Sequence, residues 1–331
     1  MRFVVAGAGA LGTVYAVLLA NAGAEVCVLT RPSRVDALRD GMRVRGLREE
    51  TATIKVVTSG AEIGRADYLI LTTKVGDSAA IAEKLRGADI ETALSLQNGL
   101  AKNDVLDDLF GPERVIGAAC AVVAGHGTVY GDAVLTMNRA TWIGERAGAQ
   151  VRSSARTARL ASLFRAAGLP SWTVPDASVV EWYKLCALLP GSMVTALARC
   201  AYSDMALHSF MAQQFVVLMR EVFSVPQALG VFGVDKKVVD PPGAPWSFGT
   251  WLSHPDDVAL AGLRMIGEAQ VASGQKVFPS MVQDVLAGRR TEVEALVGGL
   301  ITRARTCGVP LPATETCYRL LRGLEATNSE G

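Results

Sequence analysis

A glycine-rich turn between an apolar strand and a helix is the feature that most constrains this chain. The apolar run Arg2 to Ala6 is followed directly by Gly7-Ala8-Gly9-Ala10-Leu11-Gly12, which opens a predicted helix, Leu11 to Asn21, closed by Gly23. In a G-x-G-x-x-G turn the first glycine allows the sharp turn, the second lets the backbone approach a pyrophosphate, and the third lets helix and strand pack closely. The amide groups that open the helix, at Ala10 and Leu11, favour an anion. The sequence therefore predicts a dinucleotide site at Gly7, Gly9, Ala10, Leu11 and Gly12, with an ordinary glycine turn as the alternative.

The order of apolar segments predicts an α/β chain. Short β-branched runs alternate with helical stretches in the first half, which is typical of a Rossmann-type parallel sheet with helices on both faces. The predicted strands are Arg2 to Ala6, Glu25 to Thr30, Tyr68 to Thr72, Thr92 to Leu96, Val115 to Val123, Thr141 to Ile143 and Trp172 to Val174.

Beyond Pro175 long apolar helices dominate. We therefore predict a Rossmann-type domain over residues 1–175 and an all-α domain over residues 176–331. The clearest helix in the second part has apolar residues at i, i+3, i+4, i+7, i+8 and i+11, and it stops before Gly308. Its apolar stripe consists of Val293, Leu296, Val297, Leu300, Ile301 and Ala304. The proline-rich segment from Asp240 to Trp246 is predicted to be a loop.

Composition excludes several classes of partner. The 331 residues are 50% hydrophobic and carry 33 basic and 32 acidic side chains, so no basic surface for nucleic acid is expected. The longest low-charge run, Leu185 to Ala198, is interrupted by Pro190-Gly191 and is too short to cross a membrane. The apolar run near Met1 is too short for a signal peptide.

Six scattered cysteines without a C-x-x-C pair favour a reducing compartment, the cytoplasm. Three histidines outside any ligand motif predict no metal site.

Arg31 favours NADPH over NADH. NAD-binding units usually end their second strand with an acidic residue that accepts from the ribose 2′-hydroxyl, but here Glu25 to Thr30 runs into Arg31. A guanidinium at that place suits a 2′-phosphate, and Arg34 offers a second charge. The alternative is that both arginines are ordinary surface residues.

Lys184 is the candidate proton donor, because it is the one cation at the head of an apolar run, Leu185 to Leu189. From composition alone, the side chain either extends outward to solvent or faces a cleft.

Eight segments in order resemble the ketopantoate reductase family, the NADPH-dependent 2-dehydropantoate 2-reductases. They are Gly7 to Gly12, Arg31, Thr73-Lys74, Gln97-Asn98-Gly99, Trp182 to Leu185, the helix with Glu221, Pro279 to Met281 with Gln283-Asp284, and Arg290 to Glu292 followed by Gly308, Pro310 and Pro312. The resemblance covers nearly the whole chain. It implies the reduction of a 2-oxo acid, ketopantoate, by NADPH, a step of pantothenate biosynthesis. A homodimer is compatible with it.

The resemblance also implies the role of each site residue. Lys184 protonates the carbonyl oxygen as hydride arrives, and Glu292 holds that lysine or the new hydroxyl. Asn98 bridges cofactor and substrate, Lys74 lies beside both, and Ser280 contacts the substrate carboxylate. An ammonium aimed at a developing alkoxide both stabilises its charge and donates a proton. Without the family, Glu292 would be a solvated residue in the first turn of a helix and Ser280 an N-cap.

Two positions depart from the family pattern. Asparagines that face the substrate typically follow the catalytic lysine by four and eight residues, but here these positions are Leu188 and Ser192. Leucine adds apolar surface and removes a polar partner. A less polar or bulkier keto acid, or an imine, from secondary metabolism is therefore the alternative substrate, unless Pro190-Gly191 redirects the helix. A non-catalytic NADP-binding protein is the other alternative, although such a carrier has no need of a proton donor.

Overall fold

The computed structural model describes residues 1–146, 154–274 and 276–329, and the chain divides into two compact units. The first comprises the chain up to Glu181 together with Pro242–Pro245, and the second comprises Trp182–Pro241 and the chain from Trp246 onward. The division falls inside the helix Ala177–Ala198, whereas composition placed the domain boundary at 175/176, just before that helix.

The first unit is built on a ten-stranded sheet. The strands are β1 (Arg2–Ala6), β2 (Glu25–Leu29), β3 (Met42–Gly46), β4 (Glu50–Ala52), β5 (Lys55–Val57), β6 (Arg65–Leu71), β7 (Asp89–Ser95), β8 (Val115–His126), β9 (Asp132–Gly144) and β10 (Ser171–Val174). Their order is β4-β3-β9-β8-β7-β6-β1-β2-β5, with β10 beside β9. Strands β8 and β9 pair antiparallel, as do β3 and β4, and the other pairs are parallel. The sheet is therefore mixed and mostly parallel, since two hairpins extend the parallel sheet that the alternating pattern predicted.

Helices cover both faces of this sheet, as predicted. They are α1 (Ala10–Asn21), α2 (Gly60–Ile63), α3 (Ser78–Leu85), α4 (Asp104–Phe110) and α5 (Ala155–Ala166). Because successive residues of a strand point to opposite faces, Phe3 and Val5 of β1 pack in a core with α1 and α5. Val4 and Ala6 of the same strand pack in a second core with α2, α3 and α4. Helix α1 ends as expected at Gly23, whose φ of 86° is unfavourable for other residues.

The described part of the second unit is helical, which together with the sheet confirms the predicted fold class. It contains most of α6 (Ala177–Ala198), then α7 (Tyr202–Leu207), α8 (Ser209–Ala228), α9 (Phe248–Ser253), α10 (Asp256–Ala272), α11 (Ser280–Leu286), α12 (Gly299–Thr306) and α13 (Pro312–Ser329). Every residue of the predicted stripe from Val293 to Ala304 is buried. The helix that carries it begins with a π-helical segment, Glu294–Gly298, which the sequence pattern did not predict.

The proline-rich segment from Asp240 to Trp246 is irregular, as expected from its prolines. Its middle belongs to the first unit, where the Trp142 indole donates to the Pro242 carbonyl at 2.7 Å. A Cβ atom on Gly243 would lie 2.4 Å from the Trp172 ring, so glycine is required for this close approach. Within the described ranges, no helix has the length and apolar character that crossing a bilayer requires.

Candidate active site

The glycine turn has the geometry of an anion-binding loop. Gly7 follows β1 with φ of 110°, and its amide donates to the Leu29 carbonyl of β2 at 3.0 Å. Gly9 lies at the N-terminus of α1, and the helix begins with Ala10 and Leu11. Because Gly9 has no side chain to cap the helix, the first amide groups of α1 are available to a bound phosphate.

The three glycines of the turn differ in the space around their Cα atoms. A Cβ on Gly12 would lie 1.9 Å from the Gly7 carbonyl oxygen, and one on Gly7 would lie 2.7 Å from the methyl group of Thr73. Beside Gly9, the nearest atom is Cε1 of His126, at 4.0 Å. Gly7 and Gly12 therefore secure the turn, while Gly9 leaves space for a ligand. His126, at the end of β8, is a neighbour of the loop that sequence motifs did not reveal.

The loop after β2 carries the two predicted arginines. Arg31 is exposed and precedes a 3₁₀ turn, Pro32–Arg34. The Arg34 guanidinium lies 4.9 Å from the ring centroid of Tyr130, and the Tyr130 hydroxyl lies 3.1 Å from Oγ1 of Thr30. Tyr130 lies between β8 and β9, so only the antiparallel pairing of these strands brings it here. The sequence pattern could not have identified it.

Lys74 and Asn98 follow neighbouring parallel strands, β6 and β7. Lys74 is exposed and Asn98 is half-buried. Gln97 joins their loops, because its side-chain Nε2 donates to Thr73 Oγ1 at 3.2 Å and to Ser78 Oγ at 3.0 Å. Since β7, β6, β1 and β2 are adjacent and parallel, their carboxyl ends bring the loops with Asn98, Lys74, the glycine turn and Arg31 to one edge of the sheet, where open α/β sheets bind ligands.

Helix α6 presents Lys184, Leu188 and Ser192 at intervals of four residues, and therefore on one face. Lys184 is half-buried, with Nζ 5.4 Å from the ring centroid of Trp246, so the side chain is not extended into open solvent. Leu188 is half-buried as well. The helix continues through Pro190 rather than breaking there, so the three side chains remain on one element.

Two hydroxyl groups near this face are buried and unsatisfied. Ser192 is 2% exposed, and its Oγ has no hydrogen-bond partner among the described residues. The same is true of the Tyr202 hydroxyl. The Tyr202 ring lies against Gly191, where a Cβ would be 2.8 Å from Cε2 of the ring. Burial raises the pKa of Tyr202, so its hydroxyl remains a neutral hydrogen-bonding group. Sequence reasoning did not identify Tyr202.

Tyr183 is buried beside the candidate lysine in the chain. Its hydroxyl donates to Asp240 Oδ1 at 2.7 Å, and Asp240 also accepts from the Gly249 amide at 2.9 Å. Burial, and then the negative charge of Asp240, raise the pKa of Tyr183 well above its usual range. Tyr183 therefore remains protonated and fixes the turn of α6 that carries Lys184.

Ser280 and Glu292 lie on other elements of the second unit. Ser280 is exposed and is the first residue of α11; Pro279 occupies the cap position, so the N-cap interpretation of Ser280 is wrong. Glu292 is half-buried just before the π-helical segment, and its carbonyl accepts from the Leu296 amide at 3.0 Å. Glu292 thus lies at the start of this helix, where the interpretation of it as a solvated first-turn residue placed it, and it is partly exposed.

The remaining polar side chains of interest are the cysteines and the possible metal ligands. Cys27, Cys120, Cys186 and Cys317 are buried, Cys200 and Cys307 are partly exposed, and all six are free thiols. In the part of the chain that the structure describes, no three His, Cys, Asp or Glu side chains are grouped to hold a metal ion.

Comparisons with known proteins agree with this geometry. Residues 3–148 match the family described as ketopantoate reductase PanE/ApbA, and residues 176–325 match its C-terminal family. A curated relative, 2-dehydropantoate 2-reductase of Archaeoglobus fulgidus, is 28% identical over 333 residues, which cover 98% of each chain. The structure of 2-dehydropantoate 2-reductase from Geobacter metallireducens GS-15 is similar with a TM-score of 0.81 at 25% identity, covering 98% of this chain and 99% of that one.

The same fold also occurs in a protein of different name. D-mandelate dehydrogenase, solved with NADH and anilino(oxo)acetate, is similar with a TM-score of 0.79 over 99% of this chain and 100% of that chain. At 17% identity this likeness shows the fold alone.

Proposed function

This chain belongs to the ketopantoate reductase family, PanE/ApbA, and we propose that it reduces the carbonyl group of a 2-oxo acid with NADPH. The observation that carries the proposal is Lys184, a half-buried residue that shares one face of α6 with Leu188 and Ser192. Its Nζ lies 5.4 Å from the ring centroid of Trp246, so the ammonium group is held against the protein, where it can serve as a proton donor.

The residues of the first unit fit a nicotinamide dinucleotide. The open space beside Gly9 and the uncapped start of α1 suit a pyrophosphate. Arg31, exposed at the carboxyl end of β2, suits the 2′-phosphate of NADPH better than the free ribose hydroxyl of NADH. Bound NADPH would supply a hydride for the C2 carbonyl carbon of the substrate.

The side chains then complete the reduction. Lys184 donates a proton from Nζ to the carbonyl oxygen, so that the 2-oxo acid becomes a 2-hydroxy acid. Glu292 holds the ammonium group or the new hydroxyl, and Ser280 binds the substrate carboxylate. Asn98 bridges cofactor and substrate, and Lys74 adds positive charge beside them. Fixed charges and hydrogen-bond donors that are in place before the reaction stabilise the developing alkoxide.

Ketopantoate is the substrate to which the family name points, and a less polar 2-oxo acid is the second candidate. Leu188 favours the second candidate, because a half-buried isobutyl group cannot accept or donate a hydrogen bond to the hydroxyl of ketopantoate.

The test is the oxidation of NADPH, followed by its absorbance, with ketopantoate, pyruvate, 2-oxoisovalerate and phenylglyoxylate as substrates. We expect turnover with at least one of them. Lys184→Ala should lower kcat by about 100-fold or more, the scale of general acid catalysis, while the Kd for NADPH changes little. The matched control is Lys237→Ala, an exposed lysine of the same unit. NADPH binding without turnover of any substrate would favour a non-catalytic protein, and an active Lys184→Ala variant would remove the lysine from the mechanism.

A further inference from the structure

The C-terminal helix α13 holds the chain on both sides of Glu292. On one side, the Glu325 carboxylate accepts from the Thr291 amide at 2.7 Å and from its hydroxyl at 2.6 Å. The Thr291 hydroxyl oxygen in turn accepts from the Val293 amide at 3.1 Å. Hydrogen bonds thus join Thr291 and Val293, the two residues that flank Glu292, and they join Thr291 to the Glu325 carboxylate. The Glu325 side chain is 14% exposed.

On the other side, α13 holds the first residue of the π-helical segment. The Tyr318 hydroxyl donates to Glu294 Oε2 at 2.6 Å, and Arg322 forms an ion pair with the same carboxylate. Gly298 leaves room for this arrangement, since a Cβ there would lie 2.7 Å from Glu294 Oε1. Arg322 also lies 3.5 Å from Oε2 of Glu325, so it links the two sides.

The π-helical segment explains why these contacts from α13 are needed. A π-helical turn accommodates an extra residue at a cost in hydrogen-bond geometry, and it occurs often at functional sites. Glu292 lies two residues before Glu294, the first residue of the segment Glu294–Gly298, so nearby backbone movement would change the direction of its carboxylate. Charge-assisted hydrogen bonds such as those of Glu325 are the stronger kind and resist that movement.

We propose that Glu325 and Arg322 are positioning residues, which set the direction of the Glu292 carboxylate by holding Thr291 and Glu294. The proposal rests on the proposed function, because it assumes that Glu292 acts in the reduction. Neither residue touches substrate or cofactor in this proposal; both act through Glu292.

The first test does not depend on activity. Hydrogen exchange of the amides from Thr291 to Leu296 should become faster in Glu325→Ala, and less so in Thr291→Val, which keeps the backbone hydrogen bond. Thr291→Ser should retain normal exchange because it keeps the hydroxyl. The matched control is Glu315→Ala, which removes a carboxylate from the same helix that pairs with Arg305 and Arg319. Unchanged exchange in Glu325→Ala would overturn the proposal.

The second test is a double-mutant cycle in turnover. Glu325→Ala should lower kcat by about tenfold or more with an unchanged Kd for NADPH, since misplacement by about 1 Å can cost 10²-fold. In a Glu292→Gln background the same substitution should have no further effect, because the residue it positions is gone. A further loss of similar size in that background would overturn the proposal, as would a normal kcat in Glu325→Ala.

The two hypotheses fail in different ways. If Glu292→Gln lost turnover while Glu325→Ala kept normal turnover and exchange, only the positioning proposal would be wrong. If Glu292→Gln kept normal turnover, Glu292 would have no part in the reaction, and the proposal would be wrong even with faster exchange in Glu325→Ala.

Discussion

The ammonium group of Lys102 lies 3.3 Å from Oε1 of Glu181, and the two side chains are only 3% and 8% exposed. The same carboxylate oxygen accepts from the side-chain Nδ2 of Asn103 at 3.1 Å and from the Ala118 backbone amide at 3.2 Å. Lys102 also donates to the Ala118 carbonyl. This buried ion pair therefore connects the loop after Asn98 with β8 and with the first turns of α6.

Removing one partner of this pair should destabilise the protein strongly. We expect Lys102→Ala to lower the free energy of unfolding by about 3 to 5 kcal/mol, because it leaves the Glu181 carboxylate buried without its counter-charge. The double variant Lys102→Met/Glu181→Leu should recover much of that loss, since it leaves no buried charge. Urea denaturation measures both effects.

An exposed pair provides the control for this measurement. Arg86→Ala breaks the ion pair of Arg86 with Glu83, whose side chains are 68% and 67% exposed, and should change stability by less than about 1 kcal/mol. If Lys102→Ala and Arg86→Ala lowered the free energy of unfolding by similar amounts, burial of the Lys102–Glu181 pair would add nothing to its contribution to stability.

Cofactor preference should depend on Arg31. We expect NADPH to bind at least about tenfold more tightly than NADH, or about 1.4 kcal/mol, which is modest for a charge-assisted phosphate contact. Arg31→Ala should remove most of that preference by weakening NADPH alone. Titration of each cofactor, followed by intrinsic fluorescence, gives the two Kd values. The control is Arg139→Ala, which changes an exposed arginine of β9. Equal Kd values for NADPH and NADH in the unmodified protein would contradict the role given to Arg31.

Local sequence patterns predicted the centre of the fold well. Strand β1 and helix α1 have nearly the predicted bounds, because an apolar run, a glycine turn and a closing glycine are all local signals. The strands β3, β4 and β5 were not predicted. Each has only three to five residues, and Arg43 and Arg45 interrupt the apolar character of β3. Strand β4 pairs with β3 in a local hairpin, but β3 itself pairs with the distant β9 and β5 pairs with β2, so tertiary neighbours rather than local propensity set these strands.

The candidate site residues, too, could be predicted only where the signal in the sequence was local. The glycine turn and Arg31 could be found from their spacing, whereas Lys184 needed the family resemblance to distinguish it from an ordinary lysine. Tyr130 and the Lys102–Glu181 pair left no local signal, because their partners are far away in the chain: 100 residues separate Thr30 from Tyr130. The π-helical segment was missed because its buried residues keep the spacing of an α-helix.

Acid should weaken the first unit through Glu145. Its carboxylate accepts from Arg156 Nε at 2.8 Å and Nη2 at 2.6 Å, and these hydrogen bonds lower the pKa of Glu145. A carboxyl group whose pKa is lowered by folding contributes stability above its unfolded pKa of about 4.3, and that contribution is lost as pH falls through the folded pKa. The difference in unfolding free energy between the unmodified protein and Glu145→Gln should therefore be largest near neutral pH and shrink below about pH 4.

Chemical denaturation at a series of pH values measures this difference. Glu91→Gln serves as control, because Glu91 is 55% exposed and lies 3.8 Å from Arg65. Its effect should stay within about 0.5 kcal/mol at every pH. A Glu145→Gln difference that did not vary with pH would mean that the Arg156 pair contributes no charge-dependent stability.

Substrate preference should depend on Leu188. If the half-buried Leu188 side chain faces the substrate, each hydrogen bond missing to ketopantoate costs about 1 to 3 kcal/mol, or roughly 5- to 150-fold in kcat/KM. An apolar substituent packed on this leucine gains about 0.8 kcal/mol per buried methylene. We therefore expect a less polar 2-oxo acid, such as phenylglyoxylate, to be preferred over ketopantoate.

The substitution Leu188→Asn should reverse this preference, because an amide restores the polar partner while it removes apolar surface. Leu320→Asn, an equivalent change at a 56% exposed leucine of α13, should leave the ratio of the two kcat/KM values unchanged. Helix α6 continues through Pro190, so Lys184, Leu188 and Ser192 belong to one helix. A kcat/KM for ketopantoate at or above about 10⁴ M⁻¹s⁻¹ that exceeds the values for apolar 2-oxo acids would contradict the prediction and make ketopantoate the substrate.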